Sequence, residues 1–227
     1  ILYKGSKFVD PIDGSSYRTF LPYGYNRPRK NALCPGTLSL ERHRLLWLYL
    51  KKKTKLLEKN ISVLHVAPEI IFIKKFKKIT NWNYVTIDLK SPLADIKANV
   101  YNLPFKENYF DLILCNHVLE HIEDDYKALN ELYRVIKNKG TLIAQVPLDK
   151  NLKTTFENKE IKNRRDRNKY FGQYDHLRVY GLDFYNRLSN SGFKPKKVDI
   201  LKKISIEEKI KYCLPNDEEI PVGIAIK

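Results

Sequence analysis

The sequence predicts an α/β protein with an open, doubly wound sheet of seven strands. Seven apolar segments rich in β-branched residues follow one another from about residue 61 to the end of the 227-residue chain. Helical patterns separate several of these segments, and this alternation is typical of a parallel sheet covered on both faces. The apolar segments are too short for a transmembrane helix, so we expect no membrane span.

The seven predicted strands are 61–67, 84–89, 95–100, 110–116, 140–147, 197–201 and 220–226. The clearest helix lies between the fourth and fifth strands, because Ala128, Leu132 and Ile136 recur there at helical spacing. A second helix is predicted over about 183–191, and Gly192 follows it as a stop signal.

The residues before the first strand differ from the rest of the chain. Residues 1–58 are predicted to form a cap of proline-containing loops and a docking helix over about 39–57, with Ser39 as its N-cap. The sheet domain then covers 59–227. Within it, the polar and basic segment 148–180 lacks periodicity, and we expect it to form a lid beside a strand end.

Charge and cysteine content bear on the binding partners and the cellular compartment of the protein. The net charge is +16 at pH 7, but no clustering or known motif accompanies it, so we expect no nucleic-acid partner. The cysteines, Cys34, Cys115 and Cys213, lie far apart in the chain. They form no disulfide framework and fit a reducing cytoplasm, and the first residues do not resemble a signal peptide.

Polar side chains follow three neighbouring strands of the predicted sheet. In an open α/β sheet the ligand binds beyond the carboxyl ends of the strands, where the strand order reverses. Asp88 ends the second strand, where an acid can accept hydrogen bonds from both ribose hydroxyls of a nucleotide-like cofactor. Asn99 and Val100 lie at the end of the third strand, and Asn116 and His117 at the end of the fourth. An alternative role for the last pair is a helix N-cap and a packed neighbour.

The segment NLPFKENYFDLILCNHVLEHI, residues 102–122, strongly resembles class I S-adenosylmethionine-dependent methyltransferases, in particular the group that includes the quinone-biosynthesis C-methyltransferases. The resemblance continues through ELYRVIK at 131–137 and covers about 61–204. It implies a Rossmann-like sheet with strand order 3-2-1-4-5-7-6 and an antiparallel last strand. It also implies S-adenosylmethionine as the cofactor and S-adenosylhomocysteine as the product.

The same resemblance implies a cofactor site at the strand ends. Asp88 is its ribose ligand, and Asn99 stands where the family usually has Asp beside the adenine. Asn116 and His117 border the methionine and sulfonium portion. The residues expected to bind the cofactor after strands two to four are therefore Asp88, Leu89, Asn99, Val100, Asn116 and His117.

The turn after strand one departs from the family pattern. The family has a Gly-rich turn there, whereas this chain reads HVAPE at 65–69 and has no Gly between residues 60 and 78. One hypothesis is that His65 and Glu69 hold the amino-acid end of the cofactor while Ala67 keeps the turn narrow. The alternative is a degraded site in a protein that only binds a partner. Because Asp88 and the strand-four motif are intact, we favour the working enzyme.

The segment GQYDHLRVYG after strand five concentrates reactive side chains, and in the resembling group a His-x-Arg element lies here near the acceptor pocket. His176 is the candidate general base, with Asp175 or Tyr174 orienting it. Arg178 and Tyr180 are candidate substrate-binding residues, Arg178 through an anionic group. The alternative is a polar lid that Arg178 latches to a carboxylate.

The N-terminal helix resembles a leader segment of some bacterial members, which can follow a Cys-x-x-Cys pair. The matching positions here are Cys34 and Thr37, with Asp10 and Asp13 at similar spacing upstream. One Cys cannot build a structural zinc site that needs four N or S ligands, so we expect no metal. Arg42 is a candidate for binding an anionic substrate, the alternative being a solvated helix face.

Together these observations predict a cytoplasmic S-adenosylmethionine-dependent methyltransferase, acting as a monomer or a homodimer. Its expected acceptor is a small molecule or a sugar- or lipid-linked intermediate. Two alternatives stay open. One is a nucleic-acid methyltransferase, which only the net charge favours, and the other is a catalytically inactive binding protein with the methyltransferase fold.

Overall fold

The computed structural model describes residues 3–24 and 28–227, and the chain divides into two compact units. The N-terminal unit consists of Ile1–Lys59, Glu69–Asn81 and Val198–Ile220, and the sheet unit of Asn60–Pro68, Trp82–Lys197 and Pro221–Lys227. The predicted boundary near residue 58 therefore matches the end of the first segment only. Two later segments join the N-terminal unit as well.

Within residues 3–24 and 28–227, the structure has thirteen strands and six α-helices. The strands are β1 (Lys4–Val9), β2 (Ser16–Tyr17), β3 (Leu21–Tyr23), β4 (Arg29–Leu33), β5 (Ile61–Val66), β6 (Trp82–Asp88), β7 (Ile96–Lys97), β8 (Phe110–Cys115), β9 (Ile136–Ile143), β10 (Phe156–Glu157), β11 (Arg178–Val179), β12 (Phe193–Val198) and β13 (Ile220–Ala225). The helices are α1 (Glu41–Lys53), α2 (Ile70–Phe76), α3 (Asp125–Val135), α4 (Arg164–Phe171), α5 (Phe184–Asn190) and α6 (Ile206–Lys211). No helix among the described residues is both long and apolar enough to cross a membrane.

The main sheet has seven strands in the order β12-β13-β9-β8-β5-β6-β7. Numbered along the chain and read from the other edge, this is the predicted order 3-2-1-4-5-7-6. β5 pairs in parallel with β6 and with β8, β8 pairs in parallel with β9, and β13 is antiparallel to β9. The predicted fold class and the antiparallel last strand are confirmed. The strand order reverses between β5 and β8, which places the expected ligand crevice at their carboxyl ends.

Burial explains why the central strands are almost entirely apolar. Val63 and Leu64 of β5 and Leu112, Ile113 and Leu114 of β8 are completely buried. Central parallel strands are covered on both faces, so both sets of alternating side chains must be apolar.

The predicted fifth strand was placed too late in the chain. It starts at Ile136, directly after α3, and ends at Ile143 rather than running over 140–147. Ile136 pairs with Phe110, and the register shifts before the next pair, Thr141 with Leu112. Such a local irregularity leaves no trace in the hydrophobic pattern, because the extra residues are polar.

The predicted lid, 148–180, contains regular structure that its polarity concealed. β10 pairs with β11, and an isolated bridge joins Leu148 and Tyr180 at the base of the segment. Between them lies α4, in which Phe171 alone is buried. A helix with one buried side chain has no apolar stripe, so its period could not be detected.

In the N-terminal unit, α2 packs on α1, and this contact explains why 69–81 belong to it. The Phe72 and Phe76 rings stack at 4.9 Å, Phe72 contacts His43, and Phe76 contacts Trp47. The N-cap of α1 is Leu40 and not the predicted Ser39. The backbone N–H of Leu40 donates to Nδ1 of His43, over 3.1 Å.

Ser39 is instead part of a buried polar network. Its hydroxyl donates to Oδ2 of Asp10 at 2.6 Å, and Thr37 donates to the same oxygen. The structure thus brings Asp10 to Thr37, which the sequence analysis did not predict. Asp13 does not take part, because its carboxylate accepts from Ser15.

Arg44 lies at the centre of the same unit and is completely buried. Its guanidinium donates to the carbonyl oxygens of Ala32, Ser39, Tyr212 and Cys213 at 2.7–3.0 Å. These bonds connect α1 to β4, to the loop before α1 and to the segment after α6. They therefore explain why a segment from near the C-terminus joins the N-terminal unit.

Candidate active site

Three residues end neighbouring strands at the point where the sheet order reverses. Val66, the last residue of β5, is paired with Ile87 of β6 on one side and with Cys115 of β8 on the other. The next residue along each strand is Ala67, Asp88 and Asn116, respectively. Because these strands are parallel and in register, the three residues lie side by side at one edge of the sheet.

Ala67 makes the turn that follows β5. Its φ is +47°, in the left-handed region, and its N–H donates to the carbonyl of Ile87 at 2.8 Å. A residue with a Cβ is strained there, by roughly 1–2 kcal/mol. The backbone therefore keeps a conformation that suits Gly, although the sequence supplies Ala.

The Asp88 carboxylate is oriented by the loop that follows it. Its Oδ1 accepts hydrogen bonds from the backbone N–H groups of Lys90 and Ser91, both at 2.7 Å. The next residue, Leu89, is 51% exposed and so offers apolar surface. A carboxylate can accept hydrogen bonds from a ribose diol, and an exposed apolar side chain can pack against a flat aromatic base.

The two residues predicted to flank the adenine behave differently from each other. Asn99 is exposed, and its Oδ1 accepts from the N–H of Tyr101 at 3.0 Å. Val100 is buried in the main hydrophobic core. The Val100 side chain therefore packs in the core, and only the backbone of this residue is suited to contact the adenine.

Asn116 carries an unsatisfied buried donor. The side chain is 3% exposed, and Oδ1 accepts from the N–H of Gln145 at 3.3 Å. Its Nδ2 is buried and has no hydrogen-bond partner within residues 3–24 and 28–227. A buried N–H group without an acceptor costs about 1–3 kcal/mol, so Nδ2 is suited to donate to a ligand. The alternative role as a helix N-cap is wrong, because the following 3-10 helix is capped by Val118.

His117 also has a left-handed backbone, with φ at +52°. Its N–H donates to the carbonyl of Gln145 at 2.7 Å, and its Nδ1 lies 3.1 Å from Oε1 of Glu120. The ring is thus held by two neighbours at the end of β8. Its Nε2 is buried and has no hydrogen-bond partner in the described part of the chain.

The hypothesis that His65 and Glu69 clamp the cofactor does not fit the structure. His65 is completely buried within β5, and its Nδ1 lies 2.8 Å from the hydroxyl of Tyr84. Glu69 belongs to the N-terminal unit, where its carboxylate lies 3.7 Å from Nε2 of His43. Of the predicted turn residues, Ala67 alone ends its strand beside Asp88.

His176 is buried and oriented by a backbone carbonyl. Its Nδ1 lies 3.1 Å from the carbonyl oxygen of Phe171, so Nδ1 carries the proton and Nε2 keeps a lone pair. Burial lowers the pKa of His176 and favours this neutral form. Neither Asp175 nor Tyr174, the predicted orienting residues, is seen to hydrogen-bond His176. Asp175 lies 3.4 Å from His121, and Tyr174 is 41% exposed.

Arg178 and Tyr180 hold the lid segment and are not available to a substrate. Arg178 donates to Glu157 at 2.9 Å and to three backbone carbonyls of residues 119–123 at 2.6–2.8 Å. Tyr180 is completely buried, and its hydroxyl donates to Asp125 at 2.8 Å. These contacts do not favour the predicted substrate-binding role for either residue, and the Arg178–Glu157 contact is the one that the alternative, a polar latch to a carboxylate, requires. Arg42 lies on α1, in the N-terminal unit.

Sequence reasoning assigned no role to Glu120 and His121, at the end of the strand-four motif. Glu120 is completely buried, and ligand atoms of Glu120, His121 and His176 lie within 4.8 Å of one another. Burial alone would raise the pKa of Glu120, but the hydrogen bond and charge of His117, together with His121, lower it. The adjacent Glu and His in the sequence could have indicated a functional pair, but the sequence does not show that they lie close to His176.

Comparisons with known proteins support the predicted fold and family. Residues 55–144 match the family model described as a methyltransferase domain. This segment, which is less than half of the chain, supports the predicted class I S-adenosylmethionine-dependent methyltransferase domain. An uncharacterised protein of Methanocaldococcus jannaschii is 41% identical over 90 residues, which cover 40% of this chain and 34% of that protein. The ubiquinone/menaquinone biosynthesis C-methyltransferase of Pectobacterium atrosepticum is 34% identical over 101 residues, 43% of this chain and 35% of the relative.

A solved structure extends the likeness beyond the matched segment. The 1,6-didemethyltoxoflavin-N1-methyltransferase of Burkholderia thailandensis, solved with S-adenosylhomocysteine, superposes with a TM-score of 0.52 at 14% identity. The superposition covers 80% of this chain and 76% of the Burkholderia protein's chain. At 14% identity the likeness shows the fold alone. The matched segments span about a third of these two curated relatives' length. The predicted family is confirmed, and S-adenosylmethionine is the cofactor of this class.

Proposed function

We propose that this protein transfers a methyl group from S-adenosylmethionine to an acceptor bound beside the strand ends formed by Ala67, Asp88 and Asn116. One observation carries the proposal. The pairing of Val66 with both Ile87 and Cys115 aligns these three residues at the switch point of the sheet. The working enzyme is favoured over the inactive binding protein because each of the three keeps a feature that suits a ligand.

Each feature matches one part of the cofactor. The backbone N–H groups that hold Oδ1 of Asp88 leave Oδ2 to accept from the ribose hydroxyls. The buried Nδ2 of Asn116 can donate to the carboxylate of the methionine portion. The left-handed turn at Ala67 keeps the chain close to the strand ends, with one methyl group in place of the usual Gly hydrogen.

We propose a small molecule or a sugar- or lipid-linked intermediate as the acceptor. Methyl transfer is an in-line displacement at a sulfonium, so the protein must align the acceptor atom and, for an oxygen or nitrogen nucleophile, accept a proton. The lone pair on Nε2 of His176 meets the second requirement, because Nδ1 is held by the Phe171 carbonyl. Only the net charge of +16 favours nucleic acid as the acceptor.

Calorimetry with S-adenosylhomocysteine tests the cofactor site. We expect saturable binding by the full chain and at least a tenfold loss for Asp88→Ala, because hydrogen bonds to a charged group contribute about 1.5–3 kcal/mol. Asp111→Asn is the matched control, since this carboxylate lies near the start of β8 and pairs with Lys137. Absence of heat at millimolar ligand would instead favour the inactive binding protein.

Turnover is tested separately from binding. Cell extracts incubated with the protein and methyl-labelled S-adenosylmethionine should show label in a low-molecular-weight or lipid fraction. Label that appears only in nuclease-sensitive material would support the nucleic-acid alternative. Cofactor binding without any label transfer, across extracts and purified acceptor classes, would contradict the proposed activity while leaving the cofactor site intact.

A further inference from the structure

Three potential metal ligands meet at the end of the strand-four motif. Glu120, His121 and His176 each offer one ligand atom, and these atoms lie within 4.8 Å of one another. All three residues belong to the sheet unit. We call this group the Glu120 cluster. The sequence separates its first two members widely from the third, and the lid brings them together through the N–H of Leu177, which donates to the carbonyl of Glu120 at 2.8 Å.

The carboxylate of the cluster is buried and incompletely satisfied. Glu120 has no exposed surface, and its Oε1 lies 3.1 Å from Nδ1 of His117. Its other oxygen, Oε2, is buried and has no hydrogen-bond partner in residues 3–24 and 28–227. Buried charges in proteins are paired or coordinate metals, because desolvation of a carboxylate is otherwise very costly. Oε2 is therefore an acceptor that lacks a cation or a donor.

Both imidazoles of the cluster are oriented through Nδ1. In His176, Nδ1 faces the carbonyl oxygen of Phe171 at 3.1 Å, and in His121, Nδ1 lies 3.4 Å from Oδ2 of Asp175. Metal-binding histidines commonly donate the N–H that does not face the metal to a carbonyl or carboxylate, which fixes the tautomer. The same arrangement leaves Nε2 of both rings with a lone pair.

We propose that Glu120, His121 and His176 bind a divalent first-row transition-metal cation. Two imidazole nitrogens and one carboxylate oxygen are a donor set that suits Mn²⁺, Fe²⁺, Co²⁺ or Zn²⁺ and leaves coordination positions open. The sequence-based expectation of no metal considered Cys34 and its neighbours, so it did not weigh these ligands. The proposal replaces that expectation.

The role of the cation follows from its position and rests on the proposed function. Oε1 of Glu120 lies 3.1 Å from Nδ1 of His117, which directly follows Asn116, so the cluster lies next to the strand ends that form the proposed cofactor site. A bound cation lowers the pKa of a coordinated hydroxyl group. When the cation is bound, Nε2 of His176 is a ligand and no longer a base, so the hydroxyl proton passes to solvent. The oxygen–carbon bond forms as the carbon–sulfur bond breaks, and the sulfonium becomes a neutral thioether. The acceptor is therefore a hydroxyl-bearing compound.

Cobalt titration tests the site without the cofactor. Chelator-treated full chain is titrated with Co²⁺ and followed by visible absorption, and competition is measured with Mn²⁺ by loss of its free-ion magnetic resonance signal. We expect one Co²⁺ per chain. Glu120→Gln and His176→Asn should each weaken binding at least tenfold. Glu123→Gln, which makes the same charge change on an exposed side chain nearby, should bind as the unaltered protein does.

Two results would overturn the proposal: no saturable binding, or equal affinity in Glu120→Gln and Glu123→Gln. Because Glu120 is buried, His121→Asn provides a second variant, and far-ultraviolet circular dichroism reports whether each variant folds. Anomalous diffraction from Co²⁺-soaked crystals locates the ion, and a peak away from the cluster would also overturn it. Binding of S-adenosylhomocysteine without Co²⁺ binding refutes this inference alone, whereas Co²⁺ binding without cofactor binding refutes only the proposed function.

Discussion

Replacing Ala67 with Gly should stabilise the sheet unit, contrary to the usual effect of an Ala-to-Gly change. Ala67 has a φ of +47°, and a left-handed conformation costs a residue with a Cβ roughly 1–2 kcal/mol. Glycine removes this cost but adds about 0.4–1 kcal/mol of conformational entropy to the unfolded chain. We therefore expect Ala67→Gly to raise the free energy of unfolding by about 0.5–1 kcal/mol, and to tighten or preserve cofactor binding.

The matched control is Ala98→Gly, at a position where φ is not positive. There the same change should lower the free energy of unfolding by about 0.5–1 kcal/mol, so the two variants differ in sign. The protein has two tryptophans, of which Trp82 lies in β6 and Trp47 in α1. Urea unfolding followed by fluorescence in a Trp47→Phe background therefore reports on the sheet unit. Destabilisation of Ala67→Gly as large as that of Ala98→Gly would refute the argument from backbone strain.

Three further predictions concern the polar networks and the thiols. Arg178→Met should lower the free energy of unfolding by about 3–5 kcal/mol, because it removes the donor to Oε2 of Glu157 and a donor to each of three backbone carbonyls, and a urea titration showing less than ~1 kcal/mol would contradict the latch. Burial alone would raise the pKa of Glu157, but hydrogen bonds from Arg187 and Arg178 lower it. A carboxyl group whose pKa is lower in the folded protein stabilises the fold at pH values above its unfolded pKa, and this stabilisation is lost as the pH falls through the folded pKa. Glu157→Gln should therefore be less stable than the unaltered protein at pH 7, and the difference in unfolding free energy should shrink as the pH falls. A difference that is constant with pH would count against the ion pairs. Burial raises the pKa of the Cys213 thiol to about 11, so it should react slowly with a thiol-specific disulfide reagent at pH 8 and rapidly in denaturant, and fast labelling of the native protein would be inconsistent with that environment.

The lid and the sheet are joined by the same polar network. Arg187 donates to Asp125 at 2.8–3.0 Å and to Glu157 at 3.0 Å, while Arg178 donates to the other oxygen of Glu157. Two arginines on different elements thus share one carboxylate. The basic residues of this segment therefore have a structural role here, which accounts for part of the charge that sequence analysis could attribute only to solvated faces.

The sequence alone determined the fold class, because that depends on patterns that are local along the chain. The strand order came from the resemblance to a family, which a short motif carries. β-Branched runs, the spacing of Ala128, Leu132 and Ile136, and the motif ending in Glu120 and His121 are each readable within a short window. The same holds for Asp88 and Asn116, since a polar residue that directly follows a strand is at its carboxyl end whatever the rest of the fold does.

Only the tertiary structure decided which side chains face a ligand and which are used internally. The sequence cannot show that Arg178 and Tyr180 bond to groups inside the protein, or that His65 bonds to Tyr84, because each partner comes from a distant segment. The backbone at Ala67 adopts a glycine-like φ because parallel pairing on both sides of β5 fixes where the chain must turn. The Glu120 cluster has the same origin, since it exists only after the lid folds back on the strand ends.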